Sequence, residues 1–185
     1  MAKVKISQGA VCYPMPMTLV GATVDGKPNF LAVAWAARVN YKPPMVAVAL
    51  GKSHYTNGGI HANKTFSVNV PSVDLVKETD HCGLVSGKKE DKSRVFDVFY
   101  GELKTAPMVS RCPLCMECKL VDTLDMEIDT LFIGEIVSIH CDEACLTDGN
   151  PDIAKINPFI FSSPDHHYWT LGQKIGKAWD IGKTK

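Results

Sequence analysis

Short β-branched and apolar runs, separated by turn residues, recur along the chain and restrict it to a strand-rich fold. TLVGATV (18–24) ends at Asp25-Gly26, a pair typical of the tight turn of a β-hairpin. NFLAVAWAARV (29–39) is apolar on both faces, and PPMVAVAL (43–50) opens with prolines. Both runs are therefore predicted to be buried strands rather than strands with one face in water.

Three later runs extend the strand pattern. TFSVNV (65–70) alternates apolar and polar residues, as a half-buried strand does. MECKLVDTL (116–124) and TLFIGEIVSIHC (130–141) are long and β-rich, with only a few residues around Asp125–Asp129 between them. This short separation predicts an antiparallel pair.

Helices are predicted for two segments only. TNGGIHANK (56–64) is a weak helix because of its two glycines, and SVDLVKETDHCGL (72–84) is a helix for which Ser72 can serve as N-cap. Strands dominate and the connections are not regular crossovers. The sequence therefore predicts a mainly β protein, an antiparallel barrel that is closed or partly closed, with a few peripheral helices.

Composition excludes several classes of function. The 185 residues suffice for a single domain, 1–185, and Lys plus Arg equals Asp plus Glu at 20 each, so no basic field is available for nucleic acid. The longest apolar runs are too short to span a bilayer, and the first residues have no apolar core of a signal peptide. The seven cysteines are interpreted as reduced thiols, which favours a cytoplasmic protein without nucleic-acid or membrane partners.

The stretch RCPLCMECKL (111–120) has the one cysteine spacing that suggests a metal. A ferredoxin-type run needs a further cysteine near position 122, where Asp122 stands, and a zinc site needs a fourth ligand. In a strand, Cys112 and Cys118 would share one face and Cys115 would take the other. We therefore predict buried thiols, and a metal-binding protein built on these cysteines is the alternative.

GKSHYTNGGI (51–60) combines features that suit an anion. It follows a buried strand and opens a helix, with the charge of Lys52, the hydroxyls of Ser53 and Thr56, and free N–H groups at the helix start. A plain helix start with a solvated lysine is the alternative interpretation. The glycine-broken loop CGLVSGKKEDKSRVF (82–96) carries three lysines that could reach the same anion: Lys88, Lys89 and Lys92. Two such loops favour a cofactor with one phosphate.

These motifs together resemble the flavin reductase-like, FMN-binding split-barrel family, in particular its flavoredoxin branch. The resemblance begins in PMPMTLVGATVDGKPNFLAVAWAARVNYKPPMVAVAL and continues through KSHYTNGGI, FSVNVPS, DHCGLVSGKKEDK, ECKLVDTL and TLFIGEIV to HYWTLGQKIG. It covers nearly the whole chain. It implies a homodimeric split antiparallel β-barrel with one non-covalent FMN per subunit near the dimer interface.

The resemblance also assigns residues to the cofactor. Asn29 and Trp35 would lie beside the flavin, and Ser53 and Thr56, with Lys52 adding charge, would hold the phosphate. The others implied are Lys92 from the opposite side, Asp129 at the rim of the ring, and Tyr168 and Trp169 packed near it. Without the family, Asn29 is interpreted as a turn residue, Trp35 as a core residue, and the aromatic pair as a dimer contact.

Two departures from the family limit the mechanism. Some relatives carry a cysteine near the end of the third strand, where this chain has Ala49, and many have a histidine where it has Asp129. A thiol- or imidazole-assisted mechanism is therefore not expected at these positions. We expect electron transfer through the flavin itself, with NAD(P)H or a ferredoxin-like protein as redox partner. A flavin-binding barrel without turnover is a further alternative.

Overall fold

The structure is a computed structural model that describes residues 1–10 and 13–183. Its three helices are α1 (Thr56–Asn63), α2 (Val76–Leu84) and α3 (Ile153–Ile156), with single 3₁₀ turns at Val73–Leu75, Lys92–Arg94 and Glu143–Cys145. The strands are β1 (Met15–Pro16), β2 (Thr18–Val24), β3 (Lys27–Val33), β4 (Ala36–Asn40), β5 (Met45–Gly51), β6 (Thr65–Val70), β7 (Val98–Phe99), β8 (Met108–Val109), β9 (Leu114–Asp125), β10 (Asp129–Cys141), β11 (Leu146–Thr147), β12 (Asn150–Pro151), β13 (Phe159–Ser162) and β14 (His167–Thr170).

Seven antiparallel strands form the main sheet, in the order β3-β2-β6-β9-β10-β5-β4. The hairpin of β2 and β3 turns at Asp25-Gly26, where φ is 49° and 76°. Two positive φ values define the type I′ turn that the pair predicts, and the antiparallel pairing of β9 with β10 is likewise confirmed. The mainly β, split-barrel fold is therefore correct.

The single strand predicted over 29–39 is wrong. The chain pairs with β2 as far as Val33, crosses at Ala34-Trp35, and pairs with β5 from Ala36 onward. One apolar run therefore serves two different strands, and its second half is exposed rather than buried, with Val39 51% exposed. Because β3 lies against β5 without ladder hydrogen bonds to it, the barrel stays split at this point.

The N-cap predicted at Ser72 is also wrong in its detail. Ser72 precedes the 3₁₀ turn Val73–Leu75, not α2, and its side chain makes no capping hydrogen bond. The backbone N–H of Val73 instead donates to the carbonyl of Asn157 at 3.0 Å. A contact from a distant segment thus replaces the local cap.

Two apolar clusters fill the two sides of the sheet, and the cysteines of 112–118 are divided between them. Cys118 packs with Val20, Phe66 and Phe132, while Cys112 and Cys115 pack in the cluster of Leu19, Phe30 and Met108. The predicted pairing of Cys112 with Cys118 on one face is therefore wrong. Cys112 lies in the turn before β9, where its N–H donates to the carbonyl of Val109, so strand alternation does not reach it.

A buried carboxylate fastens the loop after β7 to the sheet. Glu117, on β9, is fully buried and accepts from the backbone N–H groups of Gly101, Glu102 and Leu103 at 2.9, 2.9 and 3.2 Å. Ser138 on β10 donates a fourth hydrogen bond at 2.7 Å. Burial raises the pKa of Glu117, but these hydrogen bonds outweigh it and hold the pKa below the usual 4.5.

Within the described residues, no helix is long and apolar enough to cross a membrane.

Candidate functional site

The predicted anion loop lies between β5 and α1. The strand ends at Gly51, the helix begins at Thr56, and no side chain caps the helix start. Lys52, Ser53 and His54 line a cavity of ≈ 930 Å³ that runs along α1; we call it the cradle cavity. Its position at an uncapped helix N-terminus, with a lysine and a hydroxyl beside it, suits an anion.

Three of the predicted residues meet at one buried point. The side-chain amide of Asn29 donates to the Thr56 hydroxyl at 2.8 Å, and both side chains are at least 96% buried, with 4% and 1% exposed. The ammonium of Lys92 donates to the carbonyls of Phe30 and Cys82 at 2.9 and 2.7 Å. Burial lowers the pKa of Lys92. The structure thus brings Asn29, Thr56 and Lys92 together, although Lys92 donates to the backbone beside Asn29 rather than projecting from a loop.

One acceptor in this group has no partner. The Oδ1 atom of Asn29 is buried and makes no hydrogen bond within the described chain. Gly87 lies directly over it, and a Cβ at Gly87 would clash with Oδ1 and with the ring of Tyr55. Buried acceptors without partners are rare, so this atom marks a place where a donor from a ligand would be stabilised.

The glycine-broken loop forms a second cavity of ≈ 300 Å³, the loop cavity, between Asn29, Tyr55 and residues 87–92. Lys88 and Lys89 both line it, as predicted for a basic loop. Asp91 also lines it and forms an ion pair with Lys27 at 2.9 Å. The loop cavity shares Tyr55 and Lys88 with the cradle cavity, so Lys88 lies where the two cavities meet, whereas Lys89 lines the loop cavity alone.

A third cavity of ≈ 240 Å³ lies in the split between β3 and β5; we call it the cleft cavity. Small residues open it, among them Ala34, Ala49 and Gly51. Trp35, 53% exposed, and Asp129 line it, so the structure brings these two predicted residues together. Trp35 is not the core residue that its apolar surroundings suggest.

His54 was not predicted as a site residue, yet it is the one described residue that lines both the cradle and the cleft cavities. Burial lowers the pKa of His54, and the charge of Lys92 lowers it further, while the Asp129 carboxylate raises it. The signal in the sequence is its place between Ser53 and Thr56, both assigned to the phosphate. It lines the cleft cavity together with Asp129 because β10 pairs with β5, which the sequence does not show.

The predicted aromatic pair lies elsewhere in the monomer. The hydroxyl of Tyr168 donates to Asp80 on α2 at 2.7 Å, and its ring packs on Phe159 and Phe161. Trp169 is 56% exposed on β14. In the described chain, neither lines the three cavities, and their packing near a ring stays a prediction.

The cysteines 112–118 are poorly suited to hold a metal. Burial raises the pKa of Cys115 to about 12 and raises that of Cys118 further. Metal-bound cysteines must be thiolates, which such burial opposes. In the described ranges, no three His, Cys, Asp or Glu side chains are grouped as a metal site would require.

Comparison with known proteins agrees with this architecture. The family model of the flavin reductase like domain matches residues 10–154. The crystal structure of flavoredoxin from Methanosarcina acetivorans is 50% identical, with a TM-score of 0.97 over 99% of this chain and 98% of that chain. The flavoredoxin of Desulfovibrio vulgaris is 39% identical, with a TM-score of 0.89 over 97% and 100%.

A more distant neighbour shares the fold alone. The FMN-binding protein from Thermus thermophilus is 20% identical, with a TM-score of 0.82 over 96% of this chain and 97% of that chain. The family match covers most of the chain, and the structural match at half identity extends over nearly all of it. The chain therefore belongs to the flavin reductase-like family.

Proposed function

We propose that the protein binds one FMN non-covalently and transfers electrons through it, as a flavin-dependent oxidoreductase or electron-transfer flavoprotein. The observation that carries this proposal is the unpartnered, buried Oδ1 of Asn29, whose amide Nδ2 donates to Thr56 beside the anion cradle and whose strand, β3, continues into the apolar cleft. FMN has a phosphate, a hydroxylated chain and an apolar ring in that same order. The named flavoredoxin and FMN-binding relatives support the assignment.

The residues divide the binding among themselves. Lys52, Ser53 and the uncapped start of α1 hold the phosphate, and Thr56 keeps a hydroxyl proton to donate because its oxygen accepts from Asn29. The Asn29 Oδ1 accepts from the hydroxylated chain. Lys92 donates to the carbonyl of Phe30, next to Asn29, and so fixes the backbone there. Its ammonium also adds positive charge near Asn29.

The cleft cavity takes the ring. Trp35 covers one side of it, and Asp129 stands at its rim. When bound, FMN supplies two-electron acceptance and one-electron release, which no side chain provides. The protein positions the ring, keeps water away from it and places charged side chains around it.

A second copy of the chain completes this site in our proposal. The cleft cavity, ≈ 240 Å³, is smaller than the 300 Å³ or so of typical ligand sites and is bounded by the exposed Trp35. An apolar groove of ≈ 340 Å³ lies nearby, lined mostly by aliphatic side chains such as Ala36, Met116 and Ile139. Exposed apolar surface next to an incomplete ligand site favours a homodimer.

Sedimentation tests the homodimer. Ile139→Glu, in the groove, should shift the protein toward monomer, whereas Ile153→Glu on α3, 63% exposed and outside the groove, should not. Equal dimer content in both variants would contradict this interface.

The redox partner is either NAD(P)H or a ferredoxin-like protein, and a cytoplasmic location accords with six thiols found free in the structure. Anaerobic reduction of the bound flavin by NADH, NADPH and reduced ferredoxin, each tested separately, identifies the donor. Reduction by none of the three would favour a flavin-binding barrel without turnover.

The cofactor itself is tested by titration. The purified protein should show a flavin spectrum, and the flavin-free protein should bind FMN at least ten-fold more tightly than riboflavin, which lacks the phosphate. Equal affinity for FMN and riboflavin would contradict the assignment of the cradle cavity to the phosphate. Absence of flavin binding would refute the proposed function.

A further inference from the structure

His54 stands at the boundary between the two ends of the proposed cofactor site. Its backbone N–H donates to the carbonyl of Gly51 at 3.0 Å, which closes the turn after β5. Its imidazole lies over Gly51, where a Cβ would come within 3.2 Å of Cδ2 and 3.3 Å of Nε2. The glycine therefore makes room for the ring, which reaches both the cradle and the cleft cavities.

Charges of opposite sign face this imidazole from two elements. Lys92 acts from the 3₁₀ turn Lys92–Arg94 within the glycine-broken loop, and Asp129 acts from β10, directly opposite Gly51 in the strand register. Other charged side chains line the cradle cavity on which His54 borders: Asp25, Lys52, Lys88 and Asp125. In the described chain, no protein hydrogen bond contributes to the pKa of the imidazole, so its nitrogens are available to a ligand or a proton.

The protein's own groups, before any cofactor is counted, favour the uncharged form of His54. Burial and Lys92 disfavour the imidazolium and outweigh Asp129, so the pKa of His54 lies below its usual 6.5. A group in this state changes protonation when one more negative charge appears nearby. Reduction of a flavin adds such a charge.

We propose that His54 takes up a proton when the bound flavin is reduced, so that its imidazolium offsets the negative charge of the reduced ring. This inference rests on the proposed function, since it requires FMN in the cleft. Two electrons from a low-potential donor and one proton give the anionic reduced flavin, and a second proton binds to an imidazole nitrogen of His54. No bond to the flavin forms or breaks in this second step.

The expected strength of the coupling follows from distance and dielectric. A new unit charge about 6 Å from the imidazole, at an effective dielectric near 20, raises its proton affinity on the order of a hundred-fold before screening. The same factor favours the imidazolium of His54 once the flavin is reduced. Asp129 adds to the effect, and Lys92 opposes it.

The midpoint potential of the FMN-loaded protein, measured against pH between about 6 and 9 with dithionite and mediators, tests the proposal. Each proton taken up per electron pair contributes about 30 mV per pH unit. The parent should show two protons per electron pair near pH 7 and one at higher pH. His54→Gln should show one proton per pair at pH 7, while His167→Gln, at an exposed histidine of β14 that lines none of the three cavities, should behave as the parent.

A second readout does not depend on potentials. The ring resonances of His54, identified by their loss in His54→Gln, should report a neutral imidazole in the oxidised protein and an imidazolium after reduction at pH 7. Identical proton counts in parent and His54→Gln, or unchanged resonances, would overturn the proposal while leaving the FMN assignment intact. A protein that binds no FMN would overturn both.

Discussion

Replacement of Glu117 by glutamine should cost this protein much of its stability, although the two side chains have nearly the same shape. Oε1 accepts from Gly101 and Leu103, and Oε2 accepts from Glu102 and Ser138. Glutamine has one oxygen, so its amide N–H₂ must face at least one backbone N–H. The Ser138 hydroxyl can reorient to accept, but a backbone donor cannot.

The cost can be worked from these contacts. One donor left without a partner in a buried place costs about 1–3 kcal/mol, and the hydrogen bonds that remain lose their charge assistance. Removing a buried charge offsets part of this. We expect Glu117→Gln to lower the free energy of unfolding by about 2–4 kcal/mol at pH 7, measured by urea denaturation of the flavin-free protein.

The pH dependence gives a second, independent signature. The folded pKa of Glu117 is lower than 4.5, so its stabilisation is fully present above the unfolded pKa and is lost as the pH falls through the folded value. The difference in the free energy of unfolding between the parent and Glu117→Gln should therefore become smaller below about pH 4.5. Glu102→Gln is the matched control, because Glu102 belongs to the same loop and is exposed. A loss of unfolding free energy under about 0.5 kcal/mol in Glu117→Gln at pH 7 would refute this account. A difference from the parent that does not change with pH would refute it as well.

Three further predictions concern the site and the cysteines. Thr56→Ala should weaken FMN binding about ten- to a hundred-fold, the cost of one charge-assisted hydrogen bond, in a fluorescence titration. Lys92→Ala should also weaken it and should destabilise the flavin-free protein more than Thr56→Ala does, because two buried carbonyls lose a charged donor, whereas Thr56→Ala leaves only the Asn29 amide without its acceptor. Cys115→Ser and Cys118→Ser should still bind FMN and allow its reduction. Their thermal stability should be lower, because a buried hydroxyl needs a hydrogen-bond partner. Loss of turnover with the flavin still bound would show that these cysteines belong to the active site. Asp129→His should raise the midpoint potential of bound FMN, since a carboxylate about 6 Å away repels the reduced ring by about 3 kcal/mol before screening; an unchanged potential would place Asp129 away from the ring.

The sequence predictions that the structure confirms rest on local patterns of residues. The strand at Thr65–Val70, the turn at Asp25-Gly26 and the β9–β10 pair each depend on residues close together in the chain. Turn chemistry and period-2 alternation act over such short distances. The alternation predicts the strand at Thr65–Val70 correctly but its half-burial wrongly, because Ser67 and Asn69 on the polar face are also fully buried. The order of the motifs then specified the family.

Contacts between distant segments explain what the sequence could not show. Whether 29–39 pairs with one strand or two is decided by β5, which follows it, and not by its own residues. The face of Cys112 depends on where β9 begins, and the displaced register between Ile136 and Ser138 further breaks simple alternation in this sheet. His54 became a candidate only when the pairing of β10 with β5 placed Asp129 opposite Gly51.

Two carboxylates on neighbouring strands show how the same chemical group takes different roles here. Glu117 accepts four hydrogen bonds from the protein and has no capacity left for a ligand. On the β9–β10 hairpin, Asp122 and Asp125 also accept bonds, from Thr123 and Thr130, whereas none reaches the half-buried Asp129 carboxylate among the described residues. In the described chain its oxygens therefore have no protein partner at the rim of the cleft, which leaves them for a task outside the fold. Setting the charge around a reduced flavin, together with His54, is such a task.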